Sequence, residues 1–288
     1  MRRIHRARWL VIWIWLIAVC AAAGGVAAEP GATLLGVADG KADATAVLRV
    51  AYSTRGVIRG NRIVRIEVGP AGLESISPLV PKYGSQGYQA DNITLTKCDY
   101  LAVSDNILSV SGEGIDMQGC HHCSVTGNTM DTLWHFGLKV IYDTQYCTFS
   151  GNTIRDCALG GIVVSSSEVC GGNTLVGNTI VNTGCGRFAG EYKPYKNWNP
   201  IAIELELGER KGAGVEGVKA EGAGPEGPGM HNVLIGNIIY DDQAEPTCKY
   251  GIVEKKPDAR EPHANLIGGN LIRGMTVKDY GTNSPVVR

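Results

Sequence analysis

The sequence predicts an all-β solenoid: a single-stranded parallel β-helix of about seven to nine coils. Three observations predict it. The dipeptide Gly-Asn, usually followed by Thr or Ile, recurs at Gly60-Asn61, Gly127-Asn128, Gly151-Asn152, Gly177-Asn178, Gly236-Asn237 and Gly269-Asn270, with Asp105-Asn106 as a variant. From Asn106 the asparagines return after 22, 24 and 26 residues, a period too short for two helices. Around each Asn, stretches such as "CSVTGNTM", "CTFSGNTI" and "NVLIGNII" alternate apolar and polar residues, as half-buried strands do.

Each period carries a further strand signal: "GIDMQG" (114–119), "GLKVIY" (137–142), "GIVVSS" (161–166), "IAIELEL" (201–207) and "GIVEKK" (251–256). Turn residues separate the segments. Asn at one position per coil predicts a stacked ladder inside a turn, because Asn tolerates left-handed backbone and its amide can bond the next coil. These asparagines are structural. Asn61 to Asn106 spans 45 residues, close to two coils. The 59 residues from Asn178 to Asn237 and the 33 from Asn237 to Asn270 contain inserted loops, at 184–200, 208–230, 241–250 and 257–263. Insertions in solenoids often map to the binding face.

The chain divides into a signal peptide (1–28), a cap segment (29–60) and the β-helix (61–288). The signal peptide has a basic start, an apolar run from Trp9 and small residues at Val26-Ala27-Ala28. Asp43 or Thr45 can cap a helix with Ala46, Val47, Val50 and Ala51 on one side. An export signal implies a secreted or periplasmic protein, with no membrane association after cleavage. Without Arg2, Arg3, Arg6 and Arg8, 23 basic residues face 28 acidic ones, which argues against nucleic acid as partner. The expectation is a monomer.

Eight cysteines follow the signal peptide. Cys98, Cys120 and Cys170 each precede a repeat Asn by eight residues, and Cys123 and Cys147 by five. Cys98 should stack on Cys120 and Cys123 on Cys147, as buried thiols or as cross-links. "CHHC" (120–123) has no second ligand pair at zinc spacing, so no metal is assigned. No motif implies a cofactor, Ca²⁺ included.

The "GNTI"-type coils over roughly 90–275, with "GVADGKADATAVLR" (36–49), resemble the pectin-lyase-like right-handed parallel β-helix superfamily. The latter stretch is similar to the "GDGxxDDTxAI" opening of secreted β-helix carbohydrate enzymes, where it leads into the capping helix. The resemblance implies an acidic, uronate-containing polysaccharide as partner and a lyase, epimerase or hydrolase step.

Aligning the second strands puts Ile115, Leu138, Ile162 and Ile203 in one inward stack and Met117, Val140, Val164 and Leu205 in another. Glu254 then points inward, which reads as a bulge or a frayed coil. The outward row is Asp116, Lys139, Val163 and Glu204, followed by Gln118, Ile141, Ser165 and Glu206. Trp134, His135, Tyr142 and Asp143 lie at its edge. The loop at 184–200 adds Arg187, Tyr192 and Trp198, aromatics and cations suited to a uronate chain.

β-Elimination or C-5 epimerisation needs a carboxylate clamp, a base and a proton carrier. Lys139 is the candidate base or clamp and His135 or Tyr142 the proton carrier. Asp116 and an arginine (Arg187 or Arg155) complete the catalytic set. Glu204, Glu206, Trp134, Tyr192 and Trp198 are the candidate substrate-binding residues. A hydrolase would need carboxylates about 6.5–9.5 Å apart. Asp116 and Glu204 stand about 14 Å apart, whereas Glu204 and Glu206 are separated by about 6.8 Å. The "GHG" motif of polygalacturonase-type hydrolases and the "DPH" motif of mannuronan epimerases are absent. The remaining class is a non-catalytic glycan-binding or cell-surface structural β-helix, for which the Asp116–Lys139 pair is a solvated ion pair of little worth.

Overall fold

The computed structural model describes residues 33–34, 37–42, 46–68, 91–133, 135–166, 170–184, 200–207, 230–255, 264–278 and 286–287. The expected signal peptide and most of the loops 184–200 and 208–230 lie outside these residues.

The strands form three sheets, visited in rotation by the chain. The first holds β1 (Thr33–Leu34), β4 (Val57–Arg59), β7 (Ala102–Ser104), β10 (Ser124–Thr126), β13 (Thr148–Ser150), β16 (Thr174–Val176), β19 (Val233–Ile235), β22 (Leu266–Gly268) and β25 (Val286–Val287). The second holds β2 (Val37–Ala42), β5 (Arg62–Val68), β8 (Ile107–Ser111), β11 (Thr129–Leu133), β14 (Thr153–Cys157), β17 (Thr179–Val181), β20 (Ile238–Tyr240) and β23 (Leu271–Ile272). The third holds β3 (Ala46–Ala51), β6 (Asp91–Thr96), β9 (Ile115–Gln118), β12 (Phe136–Ile141), β15 (Gly160–Ser166), β18 (Ile201–Leu207), β21 (Tyr250–Lys255) and β24 (Thr276–Lys278). Each strand pairs in parallel with the strand one coil away, as in Ser124 with Thr148 or Leu138 with Ile162. This is a parallel β-helix.

The expected capping helix is not formed. Residues Ala46–Ala51 are strand β3, with Leu48 opposite Ile93 and Val50 opposite Leu95. Leu48 and Val50 are two apart, so they share one face only in a strand. There they extend the interior stacks and pair the backbone of β6, which outweighs a weak helix preference.

The interior is built from the predicted stacks. Ile93, Ile115, Leu138, Ile162, Ile203 and Ile252 are fully buried, as are Leu95, Met117, Val140, Val164 and Leu205. Each such side chain contributes roughly 1.5–3 kcal/mol by burial. Glu254 continues the second stack beyond Leu205 and is buried. It is not bulged against β18; the register shift lies on its other side, against β24. Its Oε1 accepts a bond from Asn265 Nδ2 at 2.7 Å.

The asparagine ladder runs through Asn61, Asn106, Asn128, Asn152, Asn178, Asn237 and Asn270. Each Nδ2 donates to the next Oδ1 at 2.8–3.0 Å. Each Oδ1 from Asn106 onward also accepts the backbone N–H of the preceding asparagine. The left-handed residue is the one before: Gly60, Gly127, Gly151, Gly177, Gly236, Gly269 and Asp105 have φ between 56° and 68°. Glycine adopts that conformation without cost, leaving Asn free to hydrogen-bond. The left-handed backbone expected at Asn thus falls on its neighbour.

A second ladder went unnoticed in the sequence. Cys147 N–H donates to Asn173 Oδ1, Asn173 N–H to Asn232 Oδ1, and Asn232 N–H to Asn265 Oδ1. Cys123 and Cys147 occupy the same position in earlier coils, and Cys123 N–H meets Cys147 Sγ at 3.4 Å. Cys98, Cys120, Cys123 and Cys147 are buried thiols without cross-links, Cys98 and Cys120 on successive coils and Cys123 and Cys147 likewise.

Candidate functional site

The third sheet is the richest in charged residues on its outward side. Gly114, just before β9, and Gly137, the second residue of β12, lie where the third sheet turns off the second. A Cβ at Gly137 would lie 2.3 Å from Ile154 Cγ2 and one at Gly114 2.8 Å from Met130 Cγ. Glycine therefore lets the third sheet turn tightly off the second. Beyond the corner alternation holds: Asp116, Lys139, Val163 and Glu204 share one row, with Thr94 before Asp116 and Val253 after Glu204. Asp116 and Glu204 are three coils apart in register, as the sequence implied.

Burial is where structure and expectation part. Asp116 and Glu204 are each only 1% exposed, and Thr94, Val163 and Val253 are buried beside them. The Lys139 side chain retains 12% of its exposure. This is not a solvated sheet face.

Lys139 Nζ lies 3.4 Å from both Asp116 Oδ2 and Glu113 Oε1. Glu113 Oε1 also lies 3.0 Å from His135 Nδ1. One coil earlier Asp91 occupies the position of Glu113, and its Oδ2 accepts a 2.7 Å bond from Thr94 Oγ1. Gln118 Nε2 donates to Asp116 Oδ2 at 2.8 Å. The cluster thus joins three carboxyl groups, one ammonium and one imidazole across β6, β9 and β12. Phe136, whose ring covers the space above Gly160, and Val163 bound it on the C-terminal side.

The protonation pattern follows from burial and neighbours. Burial, then the charges of Glu113 and Asp116, pushes the Asp91 carboxyl well above its ordinary range. Burial alone would raise Glu113 as well, but Lys139 and then His135 hold it below the carboxylate range. Burial raises Asp116 despite Lys139. Burial would lower Lys139, yet Glu113 and Asp116 hold it firmly as the ammonium. Asp91 Oδ1 and Glu113 Oε2 have no donor while both acids are ionised. A proton kept on Asp91 supplies one, so the pair titrates as a unit. Asp116 Oδ1 has no hydrogen-bond partner.

Of the sequence-chosen residues, Lys139, His135 and Asp116 come together. Tyr142 follows β12 with φ 56° and is half-buried. Glu204 and Glu206 sit on β18, two coils beyond Lys139. Arg187, Tyr192, Trp198 and Trp134 lie outside the described residues. Arg155 is on β14 of the second sheet, where it pairs with Asp156 at 3.3 Å. Sequence reasoning missed Glu113 and Asp91. A signal existed: each lies fifteen residues before a ladder asparagine, Asn128 and Asn106.

Next to this face runs an outer corner where Tyr100, His122 and Tyr146 stack, with centroids 4.9 and 5.3 Å apart. His121 lies 3.4 Å from both Asp99 and Asp143, and its bond with Asp143 pushes the imidazole up. Both histidines are at the surface, as expected. Among the described residues no group of three or more His, Cys, Asp or Glu could hold a metal ion.

Comparison with known proteins gives one family match. Residues 82–194 match the family model described as periplasmic copper-binding protein (NosD). No curated protein matches the chain. Among solved structures, an alginate lyase from Paenibacillus sp. str. FPU-7 is similar over 88% of this chain and 93% of its own, at 13% identity and a TM-score of 0.43. The mannuronan C-5 epimerase AlgE6 A-module of Azotobacter vinelandii is similar over 82% of this chain and 63% of its own, at 11% identity and a TM-score of 0.33.

Proposed function

We infer that this protein acts, after export to the periplasm or the medium, on an acidic, uronate-containing polysaccharide. The outward face of the third sheet around Lys139 and His135 is its site, and β-elimination or C-5 epimerisation is the chemistry. One observation carries this reading. A lysine, a histidine and three carboxyl groups are gathered and largely desolvated on the outward side of a sheet, where the fold does not require them. Burying charges costs several kcal/mol per ion unless they are paired, and perturbed groups of this kind concentrate at functional sites.

The roles follow from the protonation pattern. Lys139, held as the ammonium, is the clamp for the uronate carboxylate rather than the base. His135 is the proton carrier, with Tyr142 as the second candidate. Asp116 holds Lys139 in place. The matched family is described as copper-binding. The thiols of Cys98, Cys120, Cys123 and Cys147 all lie within 3.5 Å of backbone carbonyls. They do not form a metal-binding group. Copper therefore has no part in the proposal.

The second reading is a non-catalytic glycan-binding β-helix, favoured by the deep burial of the cluster. Incubation with alginate, pectate, heparinoid and chondroitin separates the two. Elimination gives ultraviolet-absorbing unsaturated ends; epimerisation in heavy water leaves deuterium at C-5. Either signal, lost in Lys139→Met, supports the enzyme. Binding without either signal on every polymer supports the alternative.

A further inference from the structure

The geometry assigns Glu113 as a positioning residue that fixes a hydrogen of His135, the proton carrier of the proposed site, on Nδ1. This rests on the proposed reading of the third-sheet face. His135 sits in the turn before β12, with its backbone N–H bonded to Gly112 O. The ring and the Glu113 carboxylate are both almost fully buried, and Nδ1 stands 3.0 Å from Oε1. Water therefore competes little for either group. An ionised carboxylate can only accept, so Nδ1 carries the hydrogen.

The other groups around the ring keep Glu113 in its role. Lys139 shares the same Oε1, at 3.4 Å. The neighbouring Asp91 carboxyl holds the proton that would otherwise neutralise Glu113. Asp116 bears on the same lysine, and Glu204 lies further along the row, two coils from Lys139. Asp91 and Glu113 are thus two acids in contact whose surroundings drive their protonation apart, an arrangement that assigns distinct roles to each. In the reaction His135 carries the C-5 proton while the electron pair moves into the uronate carboxylate against Lys139; elimination then expels the C-4 oxygen with that pair, and epimerisation returns a proton to C-5 on the opposite face.

The test reads the ring directly. Nitrogen-15 NMR of the histidine-labelled protein, with His135 assigned through His135→Gln, should show a hydrogen on Nδ1. In Glu113→Gln the Nδ1 resonance should shift, and Glu113→Asp should restore much of it. With a substrate, Glu113→Gln should lower kcat about a hundredfold or more with little change in KM. A ring without a hydrogen on Nδ1 in the unmodified protein, or an Nδ1 resonance unchanged in Glu113→Gln, overturns the assignment. If Glu113→Gln does not fold, the Nδ1 hydrogen of the unmodified protein decides alone. If the NMR result holds but no uronate polymer reacts, the positioning stands and the enzymatic reading falls.

Discussion

The asparagine ladder and the third-sheet cluster are both buried polar arrays that cross several coils, yet they solve the burial problem in opposite ways. An amide is donor and acceptor at once. Asn152 accepts from the backbone and side chain of Asn128, and donates to Asn178 Oδ1 and Val125 O. The same residue can therefore repeat indefinitely. A carboxylate only accepts, so Asp91, Glu113 and Asp116 cannot form such a ladder. They need Lys139, His135, Thr94, Gln118 and a retained proton, partners of different kinds spread over three coils. A self-satisfying array is a scaffold; an array that needs unlike partners is confined to one place and poised to exchange protons.

The largest expected effect breaks the second kind of array. Lys139→Met leaves Glu113 and Asp116 buried without their cation, and should cost roughly 3–5 kcal/mol. Denaturant unfolding measures it. Adding Glu113→Gln and Asp116→Asn to Lys139→Met should return most of the loss. If the single substitution costs under about 1 kcal/mol, the cluster is solvated and the contrast fails.

The next effect concerns the first array. Asn152→Ala strands the buried backbone N–H of Asn128 and removes one acceptor from its amide, and should cost about 1–3 kcal/mol. Asn270→Ala, at the half-buried end of the ladder, should cost clearly less. Equal losses at both positions would mean that the ladder is not cooperative along its length.

The smallest effect is on pH dependence. Asp91 is raised in the folded protein, so its contribution is fully present below the unfolded value of about 3.9 and is lost as pH rises through the folded value. Glu113 is lowered, so its contribution is present above its unfolded value and is lost as pH falls through the folded one. The two trends partly offset each other. Asp91→Asn removes the first, so the variant should gain on the unmodified protein as pH rises from about 4 towards neutrality. Unfolding midpoints across that range check it; a constant difference would show that Asp91 is ionised when folded.

Much of this contrast was legible in the sequence. Gly-Asn recurrence gave the ladder because one side chain repeats in one turn. Alternation gave the row Asp116, Lys139, Val163 and Glu204, since the inward stacks of Ile and Leu leave no other register. Glu113 and Asp91 were harder to see because their row continues as Phe136, Gly160 and Ile201, which share no chemistry. The strand at Ala46–Ala51 was misread as a helix because local propensity does not report the coil it must pair with.

The sequence by itself determined the coil, its register and which residues point outward, since these depend on periods of a few residues repeated many times. Only the tertiary structure decided that the outward row is desolvated. Only it brought His135 and Lys139 to share Glu113, and left one proton for Asp91 and Glu113. Burial and charge pairing depend on what lies one coil away in space, which is more than twenty residues away along the chain.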